Sequence, residues 1–310
     1  MELRKDYILD RWVFYASERK NRPKEFKKVD KQSLVKCFFC PGNENLTPPE
    51  IGRVSEKGKW SIRWFDNKFP AVDKTGKSEI ITKGLFTHSS AYGKHEIIVE
   101  QNSHEKQLWD VSVEKLKKIL LVYQNRIIEL GNQAHTKYVI IFKNHGSDAG
   151  TSLIHSHTQV VSLSILPTLI KEEINAVSKF NKCPYCEIIR KELKSPRKCF
   201  VNKYFIAFAP YASRFNYEVW IFPRWHVNSI TQISKDKLIY QAEILLKVLR
   251  KLRGINASYN FYLHNSPNKK NLHYHIEILP RLATWAGFEL GTDFTINSVL
   301  PEDAAMFYRE

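Results

Sequence analysis

The alternation of apolar and polar residues is clearest in residues 153–161, which read Leu-Ile-His-Ser-His-Thr-Gln-Val-Val. Side chains alternate between the two faces of a strand, so we expect His155, His157 and Gln159 to share one face. Polar groups on an otherwise apolar strand are costly to bury without partners, and imidazoles find partners in metals, phosphates and protons. The segment therefore predicts a functional site, and an ordinary solvated strand face is the alternative.

Elsewhere the hydrophobic pattern predicts both helices and strands. Apolar residues at helical spacing predict helices, and short β-branched or aromatic runs predict strands. The predicted helices cover residues 111–130, 166–182 and 235–253, and the predicted strands cover residues 7–16, 60–65, 95–100, 138–142 and 259–263. This mixture predicts an α+β protein in which antiparallel sheets are flanked by helices.

The two halves of the chain present the same parts in the same order. Each half contains a Cys-x-x-Cys pair, a glutamate followed eight residues later by a histidine, a predicted helix, a predicted strand and a His-x-His motif. This order predicts two duplicated α+β modules, each an antiparallel sheet with flanking helices. We expect an N-terminal catalytic domain at residues 1–165, a linker helix at 166–182 and a C-terminal domain at 183–310.

Four of the five cysteines lie in these Cys-x-x-Cys pairs. In a reducing compartment, such pairs indicate metal ligands before disulfides. Two thiolates and two imidazoles make a closed tetrahedral zinc set. We predict two structural zinc sites, formed by Cys37, Cys40, His104 and His155, and by Cys183, Cys186, His226 and His273. Free buried cysteines are the alternative for the second set, and Cys199, which has no counterpart, is expected to be a core thiol.

The charge balance bears on the ligand. Lys+Arg 48 against Asp+Glu 32 gives a net charge of +16, which attracts anions. The basic residues are spread along the chain without a run of five or six, so small phosphorylated substrates are favoured over nucleic acid or a membrane surface. No stretch approaches 18 consecutive apolar residues, and the N-terminus lacks the apolar core of a signal peptide. A cytoplasmic enzyme is expected.

The spacing of the first His-x-His motif suggests a reaction. If zinc holds His155, the ring of His157 stays free on the same rigid strand, where a neutral imidazole can attack phosphorus. The amide of Gln159 can donate to a phosphate oxygen without adding negative charge. Together, His157 and Gln159 predict nucleotidyl transfer through a phosphohistidine. In the second motif Glu277 takes the place of Gln159 and would repel a phosphate, so we expect one catalytic centre.

These motifs resemble the galactose-1-phosphate uridylyltransferases of the histidine-triad superfamily, and the resemblance spans nearly the whole chain. The segments that carry it are Arg19-x-x-Arg22-Pro23, Cys37-x-x-Cys40-Pro41-Gly42-Asn43, Asn67-Lys68-Phe69-Pro70-Ala71, His104, Asn144-x-Gly146, and His155-Ser156-His157-Thr158-Gln159. Residues 286–292 and 300–304 resemble the matching segments of that family and of the related ADP-glucose phosphorylases.

The resemblance implies a ping-pong cycle. UDP-glucose would give UMP to His157, with Gln159 stabilising the intermediate, and a second hexose 1-phosphate would then collect the UMP. The resemblance also assigns further substrate contacts: the phosphates to Arg19, Arg22, Asn144 and Ser152, the nucleoside to Asn67, and the hexose to Glu289. The expected partners are a nucleotide sugar and a hexose 1-phosphate, with a homodimer left open.

Three departures from the uridylyltransferase pattern keep an alternative open. Ser156 stands where the uridylyltransferases usually have proline, Phe288 replaces a common tyrosine, and the cysteines of the second metal set resemble the ADP-glucose phosphorylases. The competing enzyme passes AMP from ADP-glucose, or from a dinucleoside polyphosphate, to inorganic phosphate. A zinc-stabilised basic module that binds nucleic acid would also explain the charge and the metals, but it gives no reason for Gln159 on the histidine face.

Overall fold

The computed structural model describes residues 2–15, 36–75, 78–267 and 272–310. The strands of this part of the chain are β1 (Glu2–Lys5), β2 (Trp12–Tyr15), β3 (Glu50–Glu56), β4 (Lys59–Asp66), β5 (Ile81–Lys83), β6 (Phe86–His88), β7 (Gly93–Val99), β8 (Tyr138–His145), β9 (His157–Leu163), β10 (Lys198–Val201), β11 (Phe205–Phe208), β12 (Val219–Pro223), β13 (Tyr259–His264), β14 (His275–Pro280) and β15 (Thr295–Asn297). The helices are α1 (Val113–Gly131), α2 (Thr168–Val177), α3 (Pro184–Glu192), α4 (Leu238–Gly254), α5 (Gly287–Thr292) and α6 (Pro301–Arg309).

One large sheet joins both halves of the chain. Its order is β10-β11-β12-β14-β13-β8-β9-β7-β4-β3, and its neighbouring strands pair antiparallel. The strands of the first half meet those of the second where β8 pairs with β13, with Phe142 opposite Tyr262 and Asn144 opposite Asn260. A mixed α+β fold with an antiparallel sheet is therefore confirmed.

Helices α1 and α4 cover one face of this sheet. Helix α1 begins at Ser112, whose side chain accepts a hydrogen bond from the Lys115 backbone N–H, as expected of a good N-cap. Its apolar stripe, which includes Leu116 and Ile119, is fully buried in the main core. Thr158 of β9 faces α1, so the flanking strand residues His157 and Gln159 face away from the helices.

The two ends of the chain pack together. Strands β1 and β2 form an antiparallel hairpin, and β15 adds to β2 in parallel. The guanidinium of Arg4 donates to Glu302 of α6 at 3.1 Å, and Arg197 donates to the same carboxylate at 3.0 Å. The N-terminal hairpin thus packs on elements of the second half. Across the described residues, no helix has both the length and the apolar composition needed to cross a membrane.

The long helices and the central strands are confirmed close to their predicted positions. The predicted linker helix is shorter than expected, since α2 covers only Thr168–Val177. The prediction that His155 lies on the same strand as His157 was wrong. Strand β9 begins at His157, and the chain bends before it, which lets His155 turn towards the cysteines. The same offset recurs at His273, which precedes β14.

Candidate active site

His157 begins β9 and lies between two clefts. Each cleft has a volume of about 340 Å³: Asn144 and Ser152 help to line one, and Asn67, Ser152 and Gln159 help to line the other. The ring of His157 makes an edge contact with Phe39 at 5.3 Å between centroids. His157 is only 7% exposed, but its side chain lines both clefts.

The hydrogen bonding of His157 determines which ring nitrogen is available. Nδ1 lies 2.8 Å from the carbonyl oxygen of His155, and a carbonyl can only accept, so Nδ1 carries the proton. Burial lowers the pKa of His157 to about 4, and the nearby Lys143 ammonium acts in the same direction. At neutral pH the ring is uncharged, and Nε2 carries a lone pair. Such a nitrogen can act as a nucleophile.

A buried ion pair supports the backbone at His157. The ammonium of Lys143 donates to Glu100 at 2.6 Å, to the Ser156 hydroxyl at 3.0 Å and to the His157 carbonyl at 2.9 Å. Glu100 also accepts from the hydroxyls of Tyr123 and Thr158. Burial alone would raise the pKa of Glu100, but the Lys143 ammonium and the hydroxyls of Ser156 and Thr158 together outweigh it and hold that pKa below its ordinary value. Sequence reasoning missed this pair.

Gln159 lies one pleat further along β9 on the same face. Its Oε1 lies 2.9 Å from Nε2 of His95, a buried histidine on β7. Nδ1 of His95 accepts from the Ala71 backbone N–H at 3.1 Å. Sequence reasoning also missed His95. The period-two pattern of β7, which places His95 on the same face as Ile97, is the only sequence signal that points to it.

Asn67 and Asn144 are held by local hydrogen bonds. The Oδ1 of Asn67 accepts from the Phe69 N–H at 2.9 Å, and the Oδ1 of Asn144 accepts from the Asn260 amide at 2.8 Å. Gly146, two residues after Asn144, has φ +82°, and a Cβ there would lie 2.1 Å from Ser258 Oγ. This turn therefore requires glycine.

The remaining predicted substrate contacts are not brought to His157 by the described residues. Glu289 lies on α5, where its carboxylate accepts from the Ala286 N–H at 3.0 Å, and it does not line either cleft beside His157. Arg19 and Arg22 lie outside the described residues.

Both Cys-x-x-Cys pairs meet the two histidines predicted for them. In each set the four donor atoms lie within 4.8 Å of one another. In the first set, Nδ1 of His155 lies 3.7 Å from Cys37 Sγ and 3.6 Å from Cys40 Sγ, and Nδ1 of His104 lies 3.4 Å from Cys40 Sγ. Around tetrahedral zinc, sulfur and nitrogen ligands lie about 3.6 Å apart. The donor set and its spacing therefore fit zinc.

The second set has the same geometry. Nδ1 of His273 lies 3.8 Å from Cys183 Sγ and 3.6 Å from Cys186 Sγ, and Nδ1 of His226 lies 3.6 Å from Cys186 Sγ.

In the first set, Nε2 of His155 can donate to the Gln101 carbonyl, 2.8 Å away, which leaves Nδ1 for the metal. Both sets could hold a metal ion.

The second His-x-His motif is buried in an ionic network. Nδ1 of His275 lies 2.9 Å from the His273 carbonyl, as in the first motif, but its ring is stacked between Phe222 at 4.5 Å and His264 at 4.4 Å. Arg214 binds Glu277 at 2.5 Å, and although burial would raise the pKa of Glu277, this guanidinium holds it well below its ordinary range. Access to His275 is therefore blocked.

Comparison with known proteins gives consistent matches. The family model for the N-terminal domain of galactose-1-phosphate uridyl transferase matches residues 2–167, and a model for a domain of unknown function, DUF4921, matches residues 89–306. ADP-glucose phosphorylase of Arabidopsis thaliana is 30% identical across the whole chain and 92% of its own length. Galactose-1-phosphate uridylyltransferase of Thermotoga maritima is 30% identical across the whole chain and 98% of its own length.

A solved structure agrees with these matches. The crystal structure of an ADP-glucose phosphorylase from Arabidopsis thaliana with bound ADP-glucose superposes with a TM-score of 0.87 at 29% identity, covering all of this chain and 98% of the other. The chain therefore belongs to the galactose-1-phosphate uridylyltransferase family of nucleotidyltransferases.

Proposed function

We propose that this enzyme transfers UMP from UDP-glucose to a hexose 1-phosphate, galactose 1-phosphate in the simplest case, through a covalent intermediate on His157. Nε2 of His157 attacks the α-phosphorus of the nucleotide sugar, the bond to the bridging oxygen breaks, and glucose 1-phosphate leaves. A second hexose 1-phosphate then displaces the nucleotide from the histidine. The unprotonated Nε2 between the two clefts is the observation that carries this proposal.

The other residues take roles that fit their positions. Gln159 donates its amide N–H groups to the transferred phosphate, Asn67 contacts the nucleoside, and Asn144 and Ser152 contact the phosphates. From the family resemblance we assign phosphate contacts to Arg19 and Arg22 and a hexose contact to Glu289. A cytoplasmic location and a homodimer stay predictions.

We further propose that both Cys2His2 sets hold zinc. The donor distances near 3.6 Å in both sets support this assignment. When bound, zinc with four protein ligands has no open position, so its role is to fix the segment before β9 and the helix that begins after Cys183. The recurring order of ligands supports two duplicated modules, at residues 1–165 and 183–310 with the linker at 166–182.

Adenylyl transfer from ADP-glucose to inorganic phosphate is the second candidate. It is favoured by the similarity to the ADP-glucose phosphorylase structure and by Ser156, whose hydroxyl takes part in the Lys143–Glu100 network. A larger kcat/KM for ADP-glucose with phosphate than for UDP-glucose with galactose 1-phosphate would replace the first candidate with the second.

The experiment incubates the protein with UDP-glucose or ADP-glucose labelled at the α-phosphate. We expect an acid-labile nucleotide on the protein, which mass spectrometry locates at His157. His157→Ala should abolish the adduct, and imidazole added to His157→Gly should restore transfer by filling the cavity. The matched control is His275→Phe, which keeps a ring between Phe222 and His264 and should form the adduct normally. A nucleotide on another residue, or near wild-type turnover by His157→Ala, would refute the proposal.

A further inference from the structure

His95 lies beside the reacting group but has no place in the mechanism above. It is 7% exposed and faces Gln159 diagonally across strands β7 and β9, since His95 pairs with Val161 and Gln159 pairs with Ile97. We propose that His95 is a positioning residue: it fixes the orientation of the Gln159 amide so that the N–H donors of Gln159 meet the transferred phosphate. This inference rests on the proposed nucleotidyl transfer through His157.

The first step is the protonation state of His95. Its Nδ1 accepts a hydrogen bond from the Ala71 backbone N–H at 3.1 Å, so this nitrogen carries a lone pair. Burial lowers the pKa of His95, which agrees with a neutral ring. The single ring proton is therefore on Nε2. The backbone of His95 is fixed as well, because its carbonyl accepts from the Asn67 N–H at 2.7 Å.

The second step is the orientation of Gln159. Nε2 of His95 donates to Gln159 Oε1 at 2.9 Å. In the reversed orientation, the NH₂ group of Gln159 would face this N–H, and neither group could accept. Asn67 Nδ2 also lies 3.1 Å from Nε2, but a nitrogen that carries the ring proton cannot accept a hydrogen bond from it, and Asn67 is oriented instead by the Phe69 N–H, which binds its Oδ1. Asn67 therefore contacts the ring without competing for Gln159.

The third step is the consequence for the site. With its oxygen bound to His95, Gln159 keeps both N–H groups for the cleft that it lines together with His157. A preorganised donor requires no reorientation as negative charge develops on the phosphate, and that is the source of its effect on the rate. Without the donor on His95, the amide would sample both orientations, and one of them presents an oxygen to the anionic phosphate.

The test uses two amide variants that each imitate one ring nitrogen. His95→Gln places its NH₂ near the position of Nε2 and can still donate to Gln159. His95→Asn is shorter and places its amide near the position of Nδ1, so it can keep the contact with Ala71 but loses the donor to Gln159. Adduct formation is measured in single turnover with UDP-glucose and with ADP-glucose. Each variant is also made in a Gln159→Ala background, and thermal unfolding and zinc content are recorded for all.

We expect His95→Asn to slow adduct formation about 10- to 100-fold with little change in substrate affinity, below the roughly 10²–10³-fold effect of losing a preorganised donor outright. His95→Gln should recover most of the rate. In the Gln159→Ala background the two variants should react equally fast, because the group that they orient is absent. If His95→Asn fails to fold, His95→Ala, which also lacks the donor to Gln159, is compared with His95→Gln in the two backgrounds instead.

Several outcomes would overturn the inference. One is a wild-type rate for His95→Asn, another is equal slowing by His95→Gln and His95→Asn, and a third is the same slowing with and without Gln159. Failure of the underlying function looks different: wild-type protein would then form no nucleotide adduct at His157 with either nucleotide sugar.

Discussion

The buried pair of Lys143 and Glu100 allows a test of how the strand that carries His157 is supported. Both side chains are at most 1% exposed, and their charged atoms lie 2.6 Å apart. Lys143→Met keeps most of the side-chain volume and removes the ammonium. Removing one partner of a buried ion pair costs about 3–5 kcal/mol, because the other charge is left uncompensated. Domains are commonly stable by about 5–15 kcal/mol, so this loss should be readily measured.

The cost should depend on pH in a defined direction. In wild type the pKa of Glu100 lies below its ordinary value, so its contribution to stability is retained above about pH 4.3 and lost as the pH falls through the folded pKa. In Lys143→Met the burial remains without the counter-charge, which raises that pKa. In this variant the free energy of unfolding then decreases as the pH rises from about 4.3 to the raised folded pKa of Glu100, and the loss is constant above that pKa. The difference from wild type should therefore shrink on acidification.

The assay is urea unfolding of wild type, Lys143→Met and the double variant Lys143→Met/Glu100→Gln between pH 5 and 8. The double variant contains no buried charge at this pair and should recover most of the lost stability. Wild-type protein is measured at the same pH values, so that any effect of acid on the histidine metal ligands is subtracted from the difference in unfolding free energy. A deficit below 1 kcal/mol at pH 8, a deficit that grows on acidification, or a double variant no more stable than Lys143→Met would refute the reasoning.

Three further predictions concern the metals and the two motifs. Metal analysis should find about two zinc ions per chain, and Cys37→Ser should lose one of them and unfold the first module; a stable, fully active protein without metal would contradict this. Gln159→Ala should slow both half-reactions about 10²–10³-fold in rapid-quench kinetics, and an unchanged rate would exclude it as a donor. Glu277→Gln should lower the unfolding midpoint, because Arg214 loses a buried partner, without creating a second nucleotide adduct detectable by mass spectrometry.

The parts of the site that depend on local spacing could be predicted from the sequence. The Cys-x-x-Cys pairs recur in order with single histidines and His-x-His motifs, and the structure brings both predicted ligand sets together. The period of two along β9 placed His157 and Gln159 on one face, away from α1. Such patterns can be recognised in the sequence because the residues concerned are close in sequence or repeat together.

The supporting residues could not be found in this way, because their partners are set by strand pairing. Glu100 and Ser156 are 56 residues apart, and His95 and Gln159 are 64 apart. Which of them meet depends on the register between β7 and β9, which no spacing along the chain specifies. The bend at His155 was missed for a related reason: the segment has strand propensity, but its histidine turns towards cysteines that lie more than a hundred residues earlier.

The contrast between the two His-x-His motifs shows why one sheet face can hold a reactive histidine at one place and a structural one at another. His157 and His275 use the same hydrogen bond from Nδ1 to the carbonyl two residues earlier, so Nδ1 carries a proton in both. The difference comes from their neighbours. The ring of His275 is covered by Phe222 and His264, and the residue two positions later is an anion rather than an amide. The hydrogen bond to the backbone places a proton on Nδ1 of both histidines, but the residues around each ring determine whether a phosphate can reach it.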